Sequence, residues 1–287
     1  MNEHQREYTV NQMCQVLDVS RSGYYAWRQR KPSRQAEANV VLLTEIKKVH
    51  QTSRQTYGSP RVHAALRRQG IACGRNRVAR LMRAKDIKGK KRRRRYPVTT
   101  QRDQGAPAAP NLLNQEFTAS RPNQKWVADI TYIDTAEGWL YLAVVLDLCS
   151  RAVVGRAMAD HMETSLVEDA FRMAVACRCP DPGFQHHSDQ GSQYTSTSFQ
   201  QCLKTFKCQV SMSRVGNCYD NAVMESFFAT LKSDCVTGQF ESRVQARTVI
   251  FEYLEVWYNR QRLHSSLGFF SPVEFELLHF SDIESVH

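Results

Sequence analysis

Three apolar-rich runs follow one another between Lys125 and Asp160: KWVADITYIDT, WLYLAVVLDLCS and RAVVGRAMAD. Their connections are too short to hold a helix, and turns that short join antiparallel neighbours. The first run alternates with a period of two, placing Val127, Asp129, Thr131 and Ile133 on one face. Gly138 allows the turn into the second run, which is apolar enough for a sheet interior. Beyond this predicted meander the pattern changes to alternating helix and strand. Thr164 to Cys177 reads as a helix burying Leu166, Ala170, Phe171 and Ala174. Phe184 to Ser188 reads as a short strand ending at Asp189, Thr197 to Phe206 as a helix, and Cys208 to Met212 as a last strand. The order is β-β-β-α-β-α-β-α, and the residues alone establish an α/β chain with some antiparallel pairing.

The next element is a helix with an apolar stripe of Val223, Met224, Phe227, Phe228 and Leu231. At about 100° per residue this leaves Asn221, Glu225 and Lys232 together on the other side. Glu225 is therefore fixed on a rigid element away from the core. Asp129 sits mid-strand, where Asp is disfavoured, and a carboxylate there costs stability unless paired. An edge position or a salt bridge is the plain alternative. Residues 190–224, 35 in number, separate Asp189 from Glu225. Two aspartates and a glutamate on separate elements suit a hard divalent cation such as Mg²⁺, and pairs of such ions about 3.5–4 Å apart clamp both oxygens of a phosphodiester displacement. Acids are common, so the triple of letters alone establishes little.

Charge is concentrated at the front. Residues 21–95 hold 23 Lys and Arg against 3 Asp and Glu, while the whole chain carries a net +11. Such a segment points to a polyanion, bound through phosphate contacts with counterion release. Residues 8–30 read as two short helices, with Val10, Met13, Cys14 and Leu17 inside and Asp18 to Ser20 as turn and cap. The second helix carries Arg21, Tyr24, Tyr25 and Trp27, the layout of a helix-turn-helix; any two packed helices would look similar. A longer helix follows over 35–51. Ser59–Pro60 starts another, Gly70 stops it, and Gly74 to Lys85 forms its partner. Arg75, Arg77, Arg80 and Arg83 are spaced along this partner to meet a phosphate backbone. KGKKRRRR (Lys88 to Arg95) is a single-sign run, and 88–123 reads as a linker with four prolines.

The start is polar with no secretory h-region, and the longest apolar run is far too short for a bilayer. Nine scattered cysteines without C-x-x-C point to free thiols in a reducing cytoplasm, and no His/Cys spacing suits structural zinc.

WVADITYI, HSDQGSQYTS and DNAVMESFFATLK together resemble the DDE transposases with a retroviral-integrase-like core, and more narrowly the second-frame (orfB-type) product of the insertion-sequence-three family. The likeness extends to the YG…R(V/I)…L…G…VARLM pattern and to the closing WYN..R.H..LG..SP, so it covers nearly the whole chain. It implies a ribonuclease-H-like core over 124–237, preceded by helix-turn-helix DNA-binding segments at 1–55 and 56–87 and the 88–123 linker, with a closing helical segment at 238–287. Asp129, Asp189 and Glu225 match the family's metal-binding acids, and Lys232 its following basic residue. The resemblance implies Mg²⁺, with Mn²⁺ substituting and two ions in the site. It also implies 3′-end cleavage and strand transfer on double-stranded DNA, both terminal inverted repeats and target. A homo-oligomer on paired ends and an upstream-frame (orfA-type) partner or fusion follow, with the protein at the nucleoid of a bacterial cytoplasm and no membrane. Expected DNA contacts are Arg21, Tyr24, Arg61, Arg75, Arg77, Arg80, Arg92, Arg93, Arg214, Asn221, Lys232 and Arg262. Tyr258, Asn259 and His264 are expected near substrate. His187 tunes the site or is a packed histidine, and Asp147 pairs with Arg151. A non-catalytic DNA-binding regulator and a ribonuclease-H-type nuclease that never joins are the alternatives.

Overall fold

The computed structural model describes residues 1–90, 109–214, 218–236 and 238–280. The meander forms as expected: β1 (Lys125–Thr135), β2 (Gly138–Asp147) and β3 (Val153–Ala159) pair antiparallel in succession. β4 (Gln185–Ser188) and β5 (Gln209–Met212) then add parallel, β4 beside β1 and β5 beside β4. The strand order β3-β2-β1-β4-β5 is that of the ribonuclease-H-like fold. Its two parallel pairings need crossovers, supplied by α6 (Thr164–Arg178) and by α7 (Ser192–Thr195) with α8 (Thr197–Thr205).

The period of two divides the sheet into two faces. Trp126, Ala128, Ala143 and Val145 pack with Leu166, Phe171, Phe199 and Leu203 of α6 and α8. Val127, Ile133, Leu142 and Val144 face the opposite layer, where Met224, Phe227 and Leu231 of α9 (Ala222–Cys235) are buried. α6 lies so close to β3 that a Cβ on Gly155 would come 2.2 Å from the Ala170 carbonyl oxygen. Only glycine fits there.

α10 (Arg243–Glu252) passes into a π-helical turn, Tyr253–Tyr258, before α11 (Pro272–Phe280). The wider turn re-aims Asn259, whose amide accepts from Val153 N–H and donates to Val153 C=O, both at 2.9 Å. Asn259 is thus a clamp on β3 rather than a substrate contact. The expected Asp147–Arg151 pair is also replaced. Buried Asp147 accepts from the N–H groups of Asn123, Cys149 and Ser150, while Arg151 donates to the Phe117 carbonyl.

At the front, α1 (Val10–Val16) and α2 (Arg21–Gln29) form the expected short pair, capped by Thr9 and Ser20. α3 (Arg34–Thr52), α4 (Ser59–Arg68) and α5 (Arg75–Ala84) share one core of Leu42, Ile46, Val49, Val62, Leu66, Val78 and Met82. A cut at residue 55 would run through that core. The unit is joined to the closing segment: Leu263 N–H donates to Tyr57 Oη at 2.7 Å, and Arg68 forks onto Glu274 at 2.6 and 3.1 Å. The eight described cysteine side chains are free thiols. Among the described residues no helix is long and apolar enough to cross a membrane.

Candidate active site

Strand parity places Asp129 on the α9 face of the sheet, two residues beyond Val127. The parallel register pairs Val127 with His187. β4 ends at Ser188, so Asp189 leaves that strand one residue past its end, next to the strand that carries Asp129. Burial pushes the Asp129 carboxyl well above its ordinary range, and the charges of Asp189 and Glu225 push the same way. Asp129 thus feels the charges of both other acids, each carried by a different segment of the chain. Burial raises Glu225 too.

Each aspartate is held by a local donor. Asp129 Oδ1 accepts from the Ile130 N–H at 2.7 Å, and its Oδ2 accepts from Asn221 Nδ2 at 2.8 Å. Asp189 Oδ1 accepts from the Gly191 N–H at 3.0 Å. Asn221, expected on DNA, is instead a partner of Asp129, reaching it from the residue that opens α9. Its Oδ1 is buried without a hydrogen-bond partner. Tyr194, which nothing in the sequence singled out, is buried on the opposite face of the sheet against His186 and Phe199; burial and then the charges of Asp129 and Asp189 raise its pKa. Lys232 lies on the same side of α9, its Nζ 4.5 Å from the centre of the Tyr132 ring. Burial lowers its pKa while the Asp129 charge opposes that shift.

Carboxylate oxygens are the donors a hard divalent cation takes, and the repulsion from Asp189 and Glu225 that adds to burial in raising Asp129 is what a cation would cancel. No group of three His, Cys, Asp or Glu among the described residues forms a ready-made ion cage. The Asp129 oxygens are engaged by Ile130 and Asn221.

His187 is the packed histidine. Fully buried, it bonds Ser211 Oγ through Nδ1 at 2.8 Å and the Asp220 carbonyl through Nε2 at 3.2 Å. It thereby supports the turn (Cys218–Asn221) that leads into α9. Its neighbour His186 faces the other layer, boxed by Phe171 and Phe199 at 5.5 Å between ring centres. Burial holds His187 down to about 4 and His186 to about 3. Both are neutral in the fold and take up protons near pH 6.5 when unfolded, so the unfolded state binds more protons between about 4 and 6.5. Stability is complete above pH 6.5 and is lost on acidification. At pH 5 the loss is about 2 kcal/mol per histidine. Urea midpoints measured from pH 7.5 to 5 check this, and His187→Gln flattens the slope by its share.

The expected DNA contacts divide. Arg21, Arg75 and Arg80 are exposed. Arg92 and Arg93 lie outside the described residues. Tyr24 is buried in the α1–α2 core and its hydroxyl accepts from Gln5; the exposed aromatics of that helix are Tyr25 and Trp27. Arg77 donates Nε–H to Asn39 Oδ1 at 2.8 Å, tying α5 to α3. Arg61 donates to the Leu263 carbonyl. Arg214 grips buried Asp220 through Nε at 3.0 Å and a terminal nitrogen at 2.9 Å, and Asn111 and Gln115 bond the same carboxylate. Arg262 is buried, with Nε on Asp234 Oδ2 at 3.0 Å. Tyr258 and His264 are buried as well. These side chains carry positive charge and ring edges, the sequence marks of a DNA contact, but their partners are distant in sequence and were not legible.

Residues 119–218 match the Integrase core domain family and residues 206–272 a second Integrase core domain model, so the three acids all fall inside matched segments. Residues 37–95 match the HTH-like domain. The transposase InsF for insertion sequence IS3A of Escherichia coli (strain K12) is 44% identical over 284 residues, 96% of this chain and 96% of its own. The insertion element IS600 uncharacterized 31 kDa protein of Shigella sonnei is 46% identical over 264 residues, 92% of this chain and 97% of its own. Of the solved structures, the HTLV-2 integrase catalytic core domain aligns over 55% of this chain and 98% of its own, at 16% identity and a TM-score of 0.44. With nearly half of its residues identical to such relatives along almost its whole length, the chain belongs to the IS3-type family of insertion-sequence transposases.

Proposed function

We propose that this chain is a DNA transposase that nicks the ends of an insertion element and joins the freed 3′ ends to target DNA. What supports the reading is a strand-borne Asp129 that feels the charges of both Asp189 and Glu225, in a chain whose integrase core is shared with insertion-sequence transposases. An integrase-type core implies a divalent metal, and the hard donor set favours Mg²⁺, with Mn²⁺ able to substitute. Two such ions between the acids would neutralise the phosphodiester and lower the pKa of the attacking water. The chain's own residues set the geometry. Asn221 and Ile130 fix both Asp129 oxygens, Gly191 fixes Asp189, and α9 sets the height of Glu225. Water displaces the 3′ oxygen of the element end, and the resulting 3′-hydroxyl attacks a second phosphodiester with release of its 3′ oxygen. Lys232, on the same side of α9, offers its ammonium to a phosphate of the end sequence.

The helical segments before the core are assigned to duplex DNA, with exposed Arg21, Arg75 and Arg80 on phosphates. The run around Arg92 and Arg93 is assigned to the same polyanion. Two or more copies assembling on paired ends, and an upstream-frame product acting with this chain in the bacterial cytoplasm, belong to the same reading. The test uses labelled end oligonucleotides with Mg²⁺, with and without the upstream-frame product. Cleavage and joined strands are expected. Cleavage without joining identifies a nuclease, and DNA bound but uncut in every arm identifies a regulator.

Asn221 gives a second check. Outer partners of ligating carboxylates are worth roughly 10- to 100-fold in metal affinity or activity. Asn221→Ala is expected to weaken Mn²⁺ binding by that factor in calorimetry, with circular dichroism unchanged. An unaltered Mn²⁺ affinity would show that the amide does not position Asp129 for metal.

A further inference from the structure

α9 begins without the usual fastening. Asn221 occupies its N-cap position but makes no side-chain cap hydrogen bond to the helix, because its amide is spent on Asp129. An N-cap side chain ordinarily closes the first turn, so the start of this helix is set by what precedes it. Immediately before Asn221 stands Asp220, a residue with no exposed surface.

Asp220 is saturated. Its Oδ2 accepts from the Arg214 backbone N–H at 2.9 Å, from Arg214 Nε at 3.0 Å and from Asn111 Nδ2 at 2.8 Å. Its Oδ1 accepts from an Arg214 terminal nitrogen at 2.9 Å and from Gln115 Nε2 at 3.1 Å. A carboxylate offers about four lone-pair sites, so five donors leave no room for a metal ion. The Arg214 side chain holds the carboxyl well below its ordinary range, which keeps it ionised at neutral pH. Asp220 is an acid next to Asn221 that cannot act as a ligand.

The backbone of the same residue is held as well. Its carbonyl can only accept, so His187 Nε2 carries the proton and Nδ1 accepts from the Ser211 hydroxyl. Ser211 Oγ in turn accepts from the N–H groups of Leu112 and Leu113, at 2.9 and 3.2 Å. The stretch from Asn111 to Gln115 thus meets Asp220 twice, at the carboxylate directly and at the carbonyl through Ser211 and His187. A buried polar network rigidifies its surroundings when its members are satisfied, and every donor named here has its acceptor.

The connection reaches both aspartates. On one side, Arg214 follows Ser213, whose N–H donates to the Ser188 carbonyl and whose own carbonyl accepts from Gln190 Nε2, both at 2.9 Å. Ser188 and Gln190 are the residues on either side of Asp189. On the other side, Asn221 donates to Asp129 Oδ2 at 2.8 Å, and Glu225 follows about one turn along α9. A shift of Asp220 therefore moves the donor on Asp129 and the acid of α9 together.

We propose that Asp220 is a positioning residue for the three acids: gripped by Arg214, Asn111 and Gln115, it sets the start of α9, and with it where Asn221 meets Asp129 and where Glu225 stands. The inference rests on the metal-dependent reading of those acids and adds a residue outside them. It gives the Arg214 guanidinium a use inside the protein instead of on DNA. It also ties the stretch that enters β1 to the helix carrying Glu225.

The test compares Asp220→Asn and Arg214→Gln in the full-length chain. Asp220→Asn keeps the shape but turns an amide nitrogen toward donors. Arg214→Gln is the milder change, because that side chain is 52% exposed and Asn111 and Gln115 stay on the carboxylate; it carries the comparison if Asp220→Asn does not fold. The Asn221 side-chain amide is followed without metal in a chain labelled with ¹⁵N-asparagine, its signal assigned by loss in Asn221→Ala. Its exchange with solvent is expected to be about tenfold faster in both variants. Mn²⁺ affinity in calorimetry is expected to fall about tenfold, the lower end of what outer partners of ligating carboxylates contribute. End cleavage at saturating duplex falls by the same factor and recovers when Mn²⁺ is raised in proportion, while duplex affinity and its salt slope stay as in wild type.

Unchanged Asn221 exchange and unchanged Mn²⁺ affinity in both variants overturn the positioning role. A weaker duplex complex with the salt slope reduced by about one in Arg214→Gln, at wild-type Mn²⁺ affinity, also overturns it and returns Arg214 to a phosphate. A wild-type chain that takes up no Mn²⁺ removes the metal reading, and the Asn221 exchange then decides the positioning role by itself.

Discussion

Glu225→Gln is expected to leave the chain folded and able to bind end DNA while lowering both cleavage and joining by at least about a hundredfold to a thousandfold, the range seen when one preorganised electrostatic group is removed. The substitution keeps the shape and removes the charge. Glu225 is only partly buried, and burial already raises its pKa, so the neutral amide relieves a desolvation cost and stability should be unchanged or slightly higher. The separation of the two effects is the informative part. A structural carboxylate would show lost stability with proportionate loss of activity; a metal-holding one shows activity lost at full stability. Calorimetric Mn²⁺ binding should weaken in parallel with the cleavage rate. Cleavage within threefold of wild type in Glu225→Gln would remove Glu225 from the site and with it the three-acid reading.

Much of this site was legible because its supports are local patterns. The alternation in KWVADITYIDT set Asp129 on a defined face, and the stripe from Val223 to Leu231 set Glu225 opposite the core. Both came from periodicity, which needs only neighbours in sequence. What failed to show was every assignment that depends on a distant partner. Asn221 looked like a polar residue on the approach to a helix, whereas its amide meets Asp129 across the interface between α9 and β1. Arg77 and Arg262 looked like phosphate ligands, because a basic side chain on a polar stripe reads the same whether it faces solvent or the Asn39 and Asp234 oxygens. Tyr24 shows the converse: an aromatic in a presumed recognition helix is its core contact. The π-helical turn at Tyr253–Tyr258 adds a residue to one turn without disturbing the apolar pattern enough to be read.

Asp234→Ala is expected to be the most destabilising of the substitutions considered, by about 3–5 kcal/mol, the cost of removing one partner from a buried ion pair. Asp234 sits in the last turn of α9 with its side chain 6% exposed, facing an Arg262 side chain that is also 6% exposed. Its Oδ2 accepts from Arg262 Nε and from the Tyr253 hydroxyl, both at 3.0 Å, and its backbone carbonyl accepts from Lys90 Nζ. The carboxylate thus joins α9, the π-helical turn and the closing segment, and the backbone carbonyl of the same residue holds the start of the basic run. Truncation leaves the guanidinium uncompensated beside Arg61 and Arg151, and leaves a buried Tyr253 hydroxyl without its acceptor. A change in urea midpoint reports the loss, provided the slope is unchanged. The pair itself need not be net stabilising: desolvating both ions is expensive, so Asp234→Leu with Arg262→Met should recover much of the loss. The double-mutant cycle isolates the coupling. If Asp234→Ala costs less than about 1 kcal/mol, the pair is no more than a surface-type contact. If the double substitution restores stability but not end cleavage, the charges at the end of α9 are retained for holding DNA, and the fold alone does not require them.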